Sequence, residues 1–413
     1  MNSHGLGCGA EQGLITVDQA LDLMFTRIQP LSTEIIELKQ ALNRYLATDL
    51  YSPINLPLFA QSAVDGYAIC ATSMIESDTE FELMGEIQAG HSSALHLKVG
   101  QAVRIFTGAE TPIGTTTIAR QEIVQVFDLS KIEIRAPLKP HVDIRDLGEE
   151  ISEGQLLTPA GQQLSVGAIA ALSMAGIQHV EVFRYPKVAV VITGDEVARD
   201  MEDYSTGKIF DANGPLIETC FQKQGQQVEI FHVADTEVAV KDLIQKLSKS
   251  YDLILTTGGV SVGDYDFIRP VTLALGFEQI FWKVKQKPGK PIFFAVLERE
   301  DTSACYLLGL PGNPAAVYVG MQIYTSVLLN ALQGQKQLPN WFSAVLTHDL
   351  KMDARERFLR MSAHFDQSIL KVTSLSNQQA HMLSNLMQAN CLVRIPAGQG
   401  LTKGHIVQGL FIH

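Results

Sequence analysis

The chain has few cysteines and no excess of positive charge, and both absences narrow what it can be. Its five cysteines are scattered over 413 residues without any CxxC pair, which argues against a disulfide scaffold and against a structural zinc site. Its formal net charge is -12, whereas nucleic-acid binding needs a basic surface. Any anionic ligand must therefore be bound by a local basic cluster in an otherwise acidic chain.

Targeting and membrane signals are also missing from the sequence. Residues 1–12 are glycine-rich and polar, and they lack the charged and apolar regions of a signal peptide. No apolar run approaches the roughly 20 residues that a membrane span needs. We therefore expect a cytoplasmic protein that binds neither membranes nor nucleic acid.

The first 182 residues contain predicted helices around a β-rich insertion. Helices are predicted over residues 16–29, about 39–48 and 165–176, from hydrophobic periodicity and capping residues. Residues 52–140 instead have the prolines, glycines and short alternating stretches of a small β domain. The predicted boundaries are 1–50 and 145–182 for a discontinuous helical domain and 51–144 for the inserted β domain.

The rest of the chain predicts an α/β domain followed by a second β domain. Residues 183–335 alternate apolar strands with helices, which is typical of a doubly wound, mainly parallel sheet. Residues 336–413 contain only short strands and predict a C-terminal β-barrel. The predicted fold class is therefore a multidomain α/β protein.

The most informative segment is a glycine-rich loop between a buried strand and a helix. Its sequence over residues 256–266 is TTGGVSVGDYD. The glycines allow close approach to a ligand and positive φ angles, and a loop of this kind presents backbone N–H groups to an anion. The candidate binding residues in this loop are Thr257, Gly258, Gly259, Ser261 and Gly263.

Four polar turns follow predicted strand ends, and they begin at Thr193, Ala234, Thr257 and Leu310. In an open parallel sheet, ligands bind beyond the carboxyl ends of the strands, so we expect these turns to form one pocket. This convergence is more specific than any single motif. The last turn is also explained by an Asn cap and a Pro in the first helical turn. It contributes the candidates Pro311, Gly312 and Asn313.

Carboxylates at the same strand ends suggest a metal site. Glu196, Asp235 and Asp266 would supply oxygen ligands to Mg²⁺, which usually takes one or two protein carboxylates together with substrate phosphates. Helix capping is the alternative, because acidic residues favour helix N-termini. We prefer capping for Asp264 alone and a metal site for the other three together.

The basic cluster that an acidic protein needs for an anion is the sequence KVKQKPGKP over residues 283–291. In a strand, Lys283, Lys285 and Lys287 share one face, and the Pro-Gly turn brings Lys290 around. Lysines that protect an edge strand are the alternative, which we prefer for Lys283. Lys287 and Lys290 are predicted to bind an anion.

The β region contains candidates that the residues alone leave ambiguous. Asp65 belongs to an Asp-Gly hairpin signal, so a turn role is the simplest interpretation. Thr107 lies in a Phe-Thr-Gly-Ala segment, and Arg145 begins a polar segment that is either a linker or the rim of an active site. Because no cysteine has a neighbouring histidine in a recognised pattern, we expect positioning and electrostatics rather than covalent catalysis.

Together these segments resemble the molybdopterin molybdenumtransferase family, the molybdenum insertases of molybdenum cofactor biosynthesis. The resemblance extends from about residue 15 to the C-terminus in one consistent order. It rests on residues 257–263 with Asp266, and on residues 287–291, 309–314, 62–68 and 107–109.

The resemblance implies a magnesium-dependent transferase that inserts molybdenum from molybdate into adenylylated molybdopterin and releases AMP. It implies a homodimer in which the discontinuous helical domain mediates dimerisation. The active cleft would lie between the molybdopterin-binding domain of one subunit and the β domain of the other. A molybdopterin adenylyltransferase and molybdoenzyme acceptors are the expected protein partners. The implied site comprises Asp65, Glu196, Asp266, Lys287 and Lys290 as catalytic residues, Glu196, Asp235 and Asp266 as metal ligands, and Thr107, Arg145 and Glu150 on the β-domain side.

The chain departs from the family pattern at several positions of the β region. Val64 replaces a usual Met, and Ala60 replaces a common acidic residue. Asp146 and Leu147 replace a more basic stretch, which is expected to weaken anion binding, and Glu150 stands where the family typically has Asp.

Two alternative functions remain open at this point. A molybdopterin adenylyltransferase shares the glycine-rich loop domain, and a gephyrin-like protein uses the same fold partly as a non-catalytic scaffold. The β insertion and the C-terminal barrel favour the insertase.

Overall fold

The computed structural model describes residues 14–91, 94–128, 130–194, 197–198, 208–261, 263, 266–300 and 303–412. The chain forms two compact units. The small unit is Ile35–Val182, and the large unit joins the residues up to Glu34 to those from Phe183 onward. The predicted four-domain division is finer than these two units and stays a prediction.

A six-stranded sheet is the centre of the large unit. Its first four strands are mutually parallel, and the last two add an antiparallel edge, so the prediction of a mainly parallel sheet is confirmed. The antiparallel edge was not predicted. In spatial order the strands are Glu229–Val233, Val188–Thr193, Leu253–Thr257, Ala304–Leu310, Phe293–Glu298 and Glu278–Trp282.

Helices cover both faces of this sheet, which explains why its central strands are apolar at nearly every position. Val190, Leu255 and Leu308 share one core with helices on one face. Ile254 and Leu307 belong to a separate core on the other face. The helices of the α/β region are Asn213–Gln222, Glu237–Leu247, Ile268–Ala274, Pro314–Gly320 and Ser326–Leu332, and a short strand pair is Val197–Ala198 with Ile209–Phe210.

The helix Pro314–Leu332 is interrupted by a π-helical turn at Met321–Thr325. By length and composition it is able to cross a membrane, so the expectation that the chain has no such run was wrong. Of its most apolar 18-residue window, 78% is buried inside the protein, as in a core helix.

The N-terminal helix Val17–Arg27 belongs to the large unit. Its predicted capping box is present: the Thr16 hydroxyl accepts from the Gln19 amide at 3.2 Å, and the Gln19 side chain accepts from the Thr16 amide at 2.9 Å. Its apolar face, which includes Leu21 and Met24, is buried in the same core as Val190 and Leu255.

The C-terminal part of the large unit is a closed five-stranded barrel, as predicted. The pair Gln286–Lys287 extends it by pairing in parallel with one barrel strand. In order around the barrel the strands are Glu356–Asp366, Ile369–Ser374, Phe342–Leu346, Ile406–Phe411 and Cys391–Ile395, with a 3-10 helix at Ser384–Met387.

The small unit contains a six-stranded sheet, a capped helix and several short strand pairs. The helix Val166–Met174 begins at Ser165, whose hydroxyl accepts from the Ala168 amide, and Gly176 beyond its end has φ +80°, as the sequence predicts. The sheet strands in spatial order are Thr117–Arg120, Gly66–Ile69, Gln101–Ile105, Thr79–Ile87, Lys131–Ile134 and Val124–Asp128. The remaining elements are Thr33–Glu37 paired with His179–Phe183, Leu50–Tyr51 with Leu156–Thr158, Gln61–Ser62 with Ile144–Arg145, and the 3-10 helices Leu38–Gln40 and Gln121–Ile123.

The helix predicted over residues 39–48 is wrong. Only a 3-10 turn at Leu38–Gln40 forms, and Asn43 then adopts φ 64°. The Leu46 amide donates to the Gln162 carbonyl at 3.1 Å, outside its own segment. Backbone pairing with distant residues therefore replaces the local hydrogen bonds that a helix requires.

We expect Leu255→Ala to destabilise the large unit by about 3 kcal/mol, because it removes a fully buried side chain from the central strand and leaves a cavity. Guanidinium titration followed by fluorescence and circular dichroism measures the loss. Val238→Ala is the control, since Val238 is 71% exposed on the helix Glu237–Leu247, and its effect should stay within about 0.5 kcal/mol. Equal effects of both substitutions would contradict the assigned core.

Candidate ligand-binding site

A cavity of about 690 Å³ lies beyond the carboxyl ends of the four parallel strands of the large unit. Its walls come from the turn at Thr193, the turn that contains Asp235, the glycine-rich loop and the turn that follows Leu310, each after a different strand. The predicted convergence of the strand-end turns is therefore present in the structure. The predicted site residues among its lining are Asp235, Gly258, Gly259, Ser261, Asp266, Pro311, Gly312 and Asn313.

The glycine-rich loop has the backbone geometry that its sequence predicts. Gly258 and Gly259 have φ +83° and +66°, in the left-handed region that favours glycine. The Gly258 amide donates to the Leu310 carbonyl at 3.0 Å and so joins two strand ends. Farther along, the Gly263 amide donates to Asp266 Oδ2 at 2.6 Å, which closes the loop on itself.

A glycine in the neighbouring strand lets this loop lie close to the sheet. A Cβ at Gly309 would lie 2.5 Å from Val260 Cγ1, closer than side-chain carbons approach each other. On its other side, the loop is held by the Trp282 indole, which donates to the Val260 carbonyl at 2.9 Å. Val260 can take this position because Gly309 has no side chain, and the hydrogen bond from Trp282 holds it there.

Thr257 does not line the cavity, although it was a predicted binding residue. It is 1% exposed at the end of its strand, and its carbonyl accepts from the Thr193 hydroxyl at 3.1 Å. Its own hydroxyl is buried and has no hydrogen-bond partner within the described part of the chain. Thr257 therefore supports the loop from the end of its strand and is not part of the cavity wall.

Two predicted metal ligands, Asp235 and Asp266, line the same cavity. Glu196, the third, lies outside the described residues, as does Asp264. Among the residues that the structure describes, no group of three or more His, Cys, Asp or Glu side chains could hold a metal ion. Two carboxylates are the number that Mg²⁺ usually takes from a protein, since water and phosphate oxygens complete its shell.

The basic segment does not form the strand that was predicted for Lys283, Lys285 and Lys287. Lys283 has φ 69°, and its ammonium lies 4.3 Å from the centre of the Trp282 ring. A left-handed residue breaks the alternation of side chains, so the three lysines do not share a strand face.

The two lysines predicted to bind an anion lie outside the described cavity lining, but their neighbour Pro291 belongs to it. Lys287 Nζ lies 3.0 Å from Asp353 Oδ2 in an ion pair with the C-terminal barrel. The Lys290 carbonyl accepts from the amides of Val284 and Ile292 at 2.8 and 3.0 Å. The turn is thus adjacent to the cavity, with its backbone fixed by several hydrogen bonds.

Asn213 was not predicted as a site residue, yet it lines the cavity from the helix Asn213–Gln222. Its Nδ2 donates to the Gly312 carbonyl at 2.9 Å, whereas its Oδ1 is buried without a partner in the described part of the chain. The Asp-Ala-Asn-Gly-Pro sequence before this helix resembles an ordinary cap, so only the position after a short strand could have indicated a site.

His381 and Leu383 also line the cavity and were missed. They lie on a loop of the C-terminal barrel. The buried side chain of Arg360 holds this loop by hydrogen bonds to its backbone. Arg360 is 2% exposed and donates to the carbonyls of Asn377 and Met382 at 2.9 and 2.7 Å. Burial lowers the pKa of this guanidinium. No local pattern in the sequence links this loop to the α/β sheet.

In the small unit, Asp65 accepts two hydrogen bonds from Thr107 through the same carboxylate oxygen. The Thr107 amide lies at 2.9 Å and its hydroxyl at 2.8 Å. These bonds stabilise the charged form, and the backbone bond contributes most to lowering the pKa of Asp65. The pair therefore links two β-domain segments that the sequence left ambiguous.

Arg145, Glu149 and Glu150 line a second cavity, of about 490 Å³, within the small unit. Its other walls are mainly apolar and include Leu58 and Met174, which are 57% and 54% exposed. The segment that follows Arg145 is thus the wall of a cavity in the small unit.

Comparison with known proteins assigns all three regions of the chain. Residues 15–176 match the MoeA N-terminal region (domains I and II), residues 189–331 match a probable molybdopterin binding domain, and residues 343–411 match the MoeA C-terminal region (domain IV). The fold and the cavity therefore define a multidomain α/β protein of the MoeA class.

Relatives of nearly the same length make the assignment more specific. A molybdopterin molybdenumtransferase from Haemophilus influenzae is 33% identical over 396 residues, covering 94% of this chain and 96% of that protein. One from Staphylococcus epidermidis is 30% identical over 401 residues, with coverage of 95% and 94%. The chain belongs to the molybdopterin molybdenumtransferase family.

Solved structures agree with this fold. Two crystal structures of a molybdopterin biosynthesis MoeA protein from Pyrococcus horikoshii have TM-scores of 0.77 and 0.80 and sequence identities of 25% and 24%. They cover 96% and 97% of this chain and 99% and 100% of their own chains.

We expect Gly309→Ala to destabilise the large unit, because its new methyl group would lie against Val260 and push the glycine-rich loop outward. Calorimetry should show a lower Tm. The double substitution Gly309→Ala with Val260→Ala should recover part of the loss. Gly167→Ala is the control, since the nearest atom to its new Cβ would be 3.8 Å away. Absence of any recovery in the double variant would argue against the Gly309–Val260 contact.

Thr107→Val should raise the pKa of Asp65 toward its ordinary value while leaving it below that value, because the stronger backbone hydrogen bond remains. The stabilising contribution of Asp65 is present above its ordinary pKa of 3.8 and is lost as the pH falls through the lowered pKa. NMR titration of the Asp65 carboxyl measures the change. Thr79→Val is the control, since the Thr79 hydroxyl donates to a backbone carbonyl, and it should leave Asp65 unchanged.

Proposed function

We propose that this protein inserts molybdenum from molybdate into adenylylated molybdopterin, forming molybdenum cofactor and releasing AMP. The observation that carries the proposal is the cavity at the strand ends, which combines a glycine-rich loop with two carboxylates in a chain related over nearly its whole length to named molybdopterin molybdenumtransferases. The family relationship supports the substrate, and the cavity supports the place where it binds.

The glycine-rich loop is suited to bind the phosphate groups of this substrate. Gly259 and Ser261 line the cavity wall, whereas the Gly258 amide already donates to the Leu310 carbonyl. The Ala315 amide, in the first turn of the helix after Asn313, donates to the Ala380 carbonyl. Backbone N–H groups at such positions bind anions without a net protein charge. This matters because the chain as a whole is acidic.

Asp235 and Asp266 would hold Mg²⁺ in this cavity, with Glu196 as a further candidate ligand. When bound, Mg²⁺ supplies neutralisation of the phosphate charge that develops as AMP leaves. The Gly263 amide fixes one oxygen of Asp266, so the loop orients this carboxylate within the cavity. The catalytic contribution of these residues is therefore orientation and charge, without a covalent intermediate on the protein.

The lysines of the basic turn are proposed to bind the anionic parts of the substrates at the cavity edge. Lys290 immediately precedes Pro291, which lines the cavity, whereas Lys287 lies at the other end of the turn in its ion pair with Asp353. Arginine or lysine side chains with backbone donors are the groups that bind a tetrahedral dianion such as molybdate.

We further propose a cytoplasmic homodimer in which the β domain of a second subunit completes the active cleft. Asp65, Thr107, Arg145 and Glu150 would act from that side. A molybdopterin adenylyltransferase would supply the substrate, and molybdoenzymes would accept the product. The family resemblance of these residues supports this arrangement.

The function is tested by supplying purified protein with adenylylated molybdopterin, molybdate and Mg²⁺. We expect AMP release together with cofactor that activates a molybdenum-free acceptor enzyme. Absence of both products would end the proposal. Net synthesis of adenylylated pterin from molybdopterin and ATP would instead identify an adenylyltransferase.

Asp266→Asn should lower the turnover by about 100-fold, because an amide keeps an acceptor for the Gly263 amide but loses the charge. The Mg²⁺ concentration for half-maximal activity should rise at the same time. Asp242→Asn, on an exposed position of the helix Glu237–Leu247, is the matched control and should retain activity. An unchanged Mg²⁺ requirement in the Asp266 variant would exclude this carboxylate as a metal ligand.

A further inference from the structure

The basic turn beside the cavity is attached to the protein interior by two buried polar side chains, Gln286 and Tyr324. We propose that these are positioning residues, which fix the turn of residues 287–290 so that Lys290 and Pro291 are held at the cavity edge. The proposal rests on the proposed function for the role of Lys290, but its structural part can be tested separately.

Gln286 makes the contact that reaches the turn. Its side chain is completely buried, and Nε2 donates to the Pro288 carbonyl at 3.0 Å. A carbonyl at this point of a tight turn has no partner in the usual ladder of a strand, so a buried side-chain amide is well suited to satisfy it. Gln286 thus connects the interior of the large unit to the middle of the turn.

Tyr324 is the hydrogen-bond partner of the oxygen in the Gln286 side-chain amide. Its hydroxyl donates to Gln286 Oε1, and its ring is completely buried within the π-helical turn Met321–Thr325. Burial raises the pKa of Tyr324, and the charge of Glu356 acts in the same direction, so the hydroxyl remains a donor. Because both polar atoms of the amide are engaged, its orientation toward Pro288 is determined.

The turn also lies next to the helix that forms a cavity wall. Gly289 has φ +91°, and a Cβ there would lie 2.8 Å from Gln286 Nε2 and 3.7 Å from Ala316 Cβ. Ala316 belongs to the first turn of the helix after Asn313, which lines the cavity. A shift of Gln286 would therefore move the turn relative to this wall.

The C-terminal barrel supports the same segment from outside. Gln286 pairs with Glu356 in the register of the barrel strand, and Lys287 forms its ion pair with Asp353. Burial acts to raise the pKa of Asp353, but the Arg355 amide and Lys287 outweigh it, so the pKa is lowered and the carboxylate stays charged. The outer lysine is thereby tied to the barrel, while the inner hydrogen bonds hold the part of the turn that leads to Lys290.

An apolar pair of similar size would fill this part of the core without the cost of desolvating an amide and a phenol. The hydrogen bonds nevertheless run in one direction, from Tyr324 through Gln286 to the Pro288 carbonyl, and end at the turn. Polar groups arranged in this way determine a conformation, which is the role that we assign to them.

The first test is hydrogen exchange in the ligand-free protein. Tyr324→Phe removes the donor to Gln286, so the amides of Val284 and Ile292, which donate to the Lys290 carbonyl, should exchange at least tenfold faster. Tyr306→Phe is the matched control, because it also removes the hydroxyl of a buried tyrosine. That hydroxyl accepts from the Gln29 amide, and Tyr306 lies toward the end of the strand Ala304–Leu310 that is farther from the cavity. Equal exchange at these two amides in both variants would overturn the proposal, whether or not the protein is an insertase.

The second test is kinetic and uses adenylylated molybdopterin as the probe. Tyr324→Phe should raise its KM about tenfold and weaken the dependence of KM on salt, since the misplaced lysine contributes less to anion binding. Tyr306→Phe should leave KM and its salt dependence unchanged. If the wild-type protein shows no turnover, only the proposed function is contradicted, because the hydrogen-exchange test uses the ligand-free protein and does not depend on catalysis.

A double variant separates positioning from stability. Gln286→Met with Tyr324→Phe replaces both polar partners by apolar groups, so its Tm should be higher than that of Tyr324→Phe alone. Its raised KM should persist, because the Pro288 carbonyl still lacks the Gln286 donor. Recovery of KM together with Tm would show that the pair serves stability alone and would overturn the proposal.

Discussion

The cavity depends on the close packing of the glycine-rich loop onto the end of the neighbouring strand. Val260 lies where Gly309 has no side chain, and the Gly258 amide donates to the Leu310 carbonyl. Because the strands are parallel and in register, with Thr257 opposite Leu310, the turns that follow them begin at the same level. Gly258 and Gly312 then lie close enough that a Cβ on Gly312 would be 3.6 Å from the Gly258 Cα.

The charge of the cavity differs from what an anionic ligand alone would require. Its described lining includes two carboxylates, while Lys287 and Lys290 lie outside it. Backbone N–H groups and a divalent cation reconcile an acidic wall with a phosphate ligand, since neither depends on basic side chains. Under the proposed function, the carboxylates are thus part of anion binding rather than an obstacle to it.

The parts of the fold that follow from local patterns could be predicted from the sequence. The apolar strands of the large unit, the capped helices beginning after Thr16 and Ser165, and the positive φ angles of Gly258 and Gly259 all depend on neighbouring residues. The helix expected over residues 39–48 failed because its backbone pairs with distant segments. Long-range pairing of this kind leaves no periodicity in the sequence that a local pattern could reveal.

The same distinction applies to the candidate site. Residues on strand-end turns, such as Ser261 and Asn313, could be placed from topology alone. Asn213 could not, because its place in the site depends on a hydrogen bond from its side-chain amide to the Gly312 carbonyl, 99 residues along the chain. The strand predicted for Lys283, Lys285 and Lys287 was wrong for a related reason. Lys283, beside the Trp282 ring, has a left-handed conformation, which ends the alternation of side chains that the spacing suggested.

One wall of the cavity comes from a loop of the C-terminal barrel rather than from the sheet. The barrel loop is held by hydrogen bonds from Arg360 to its carbonyls and by the side chains of Gln378 and Asn385. None of these bonds uses the side chain of His381 or Leu383. Substitutions at His381 or Leu383 can therefore change the surface that a ligand meets without disturbing the glycine-rich loop. Under the proposed function, ligand preference is therefore adjustable at this loop while the geometry of the glycine-rich loop is kept.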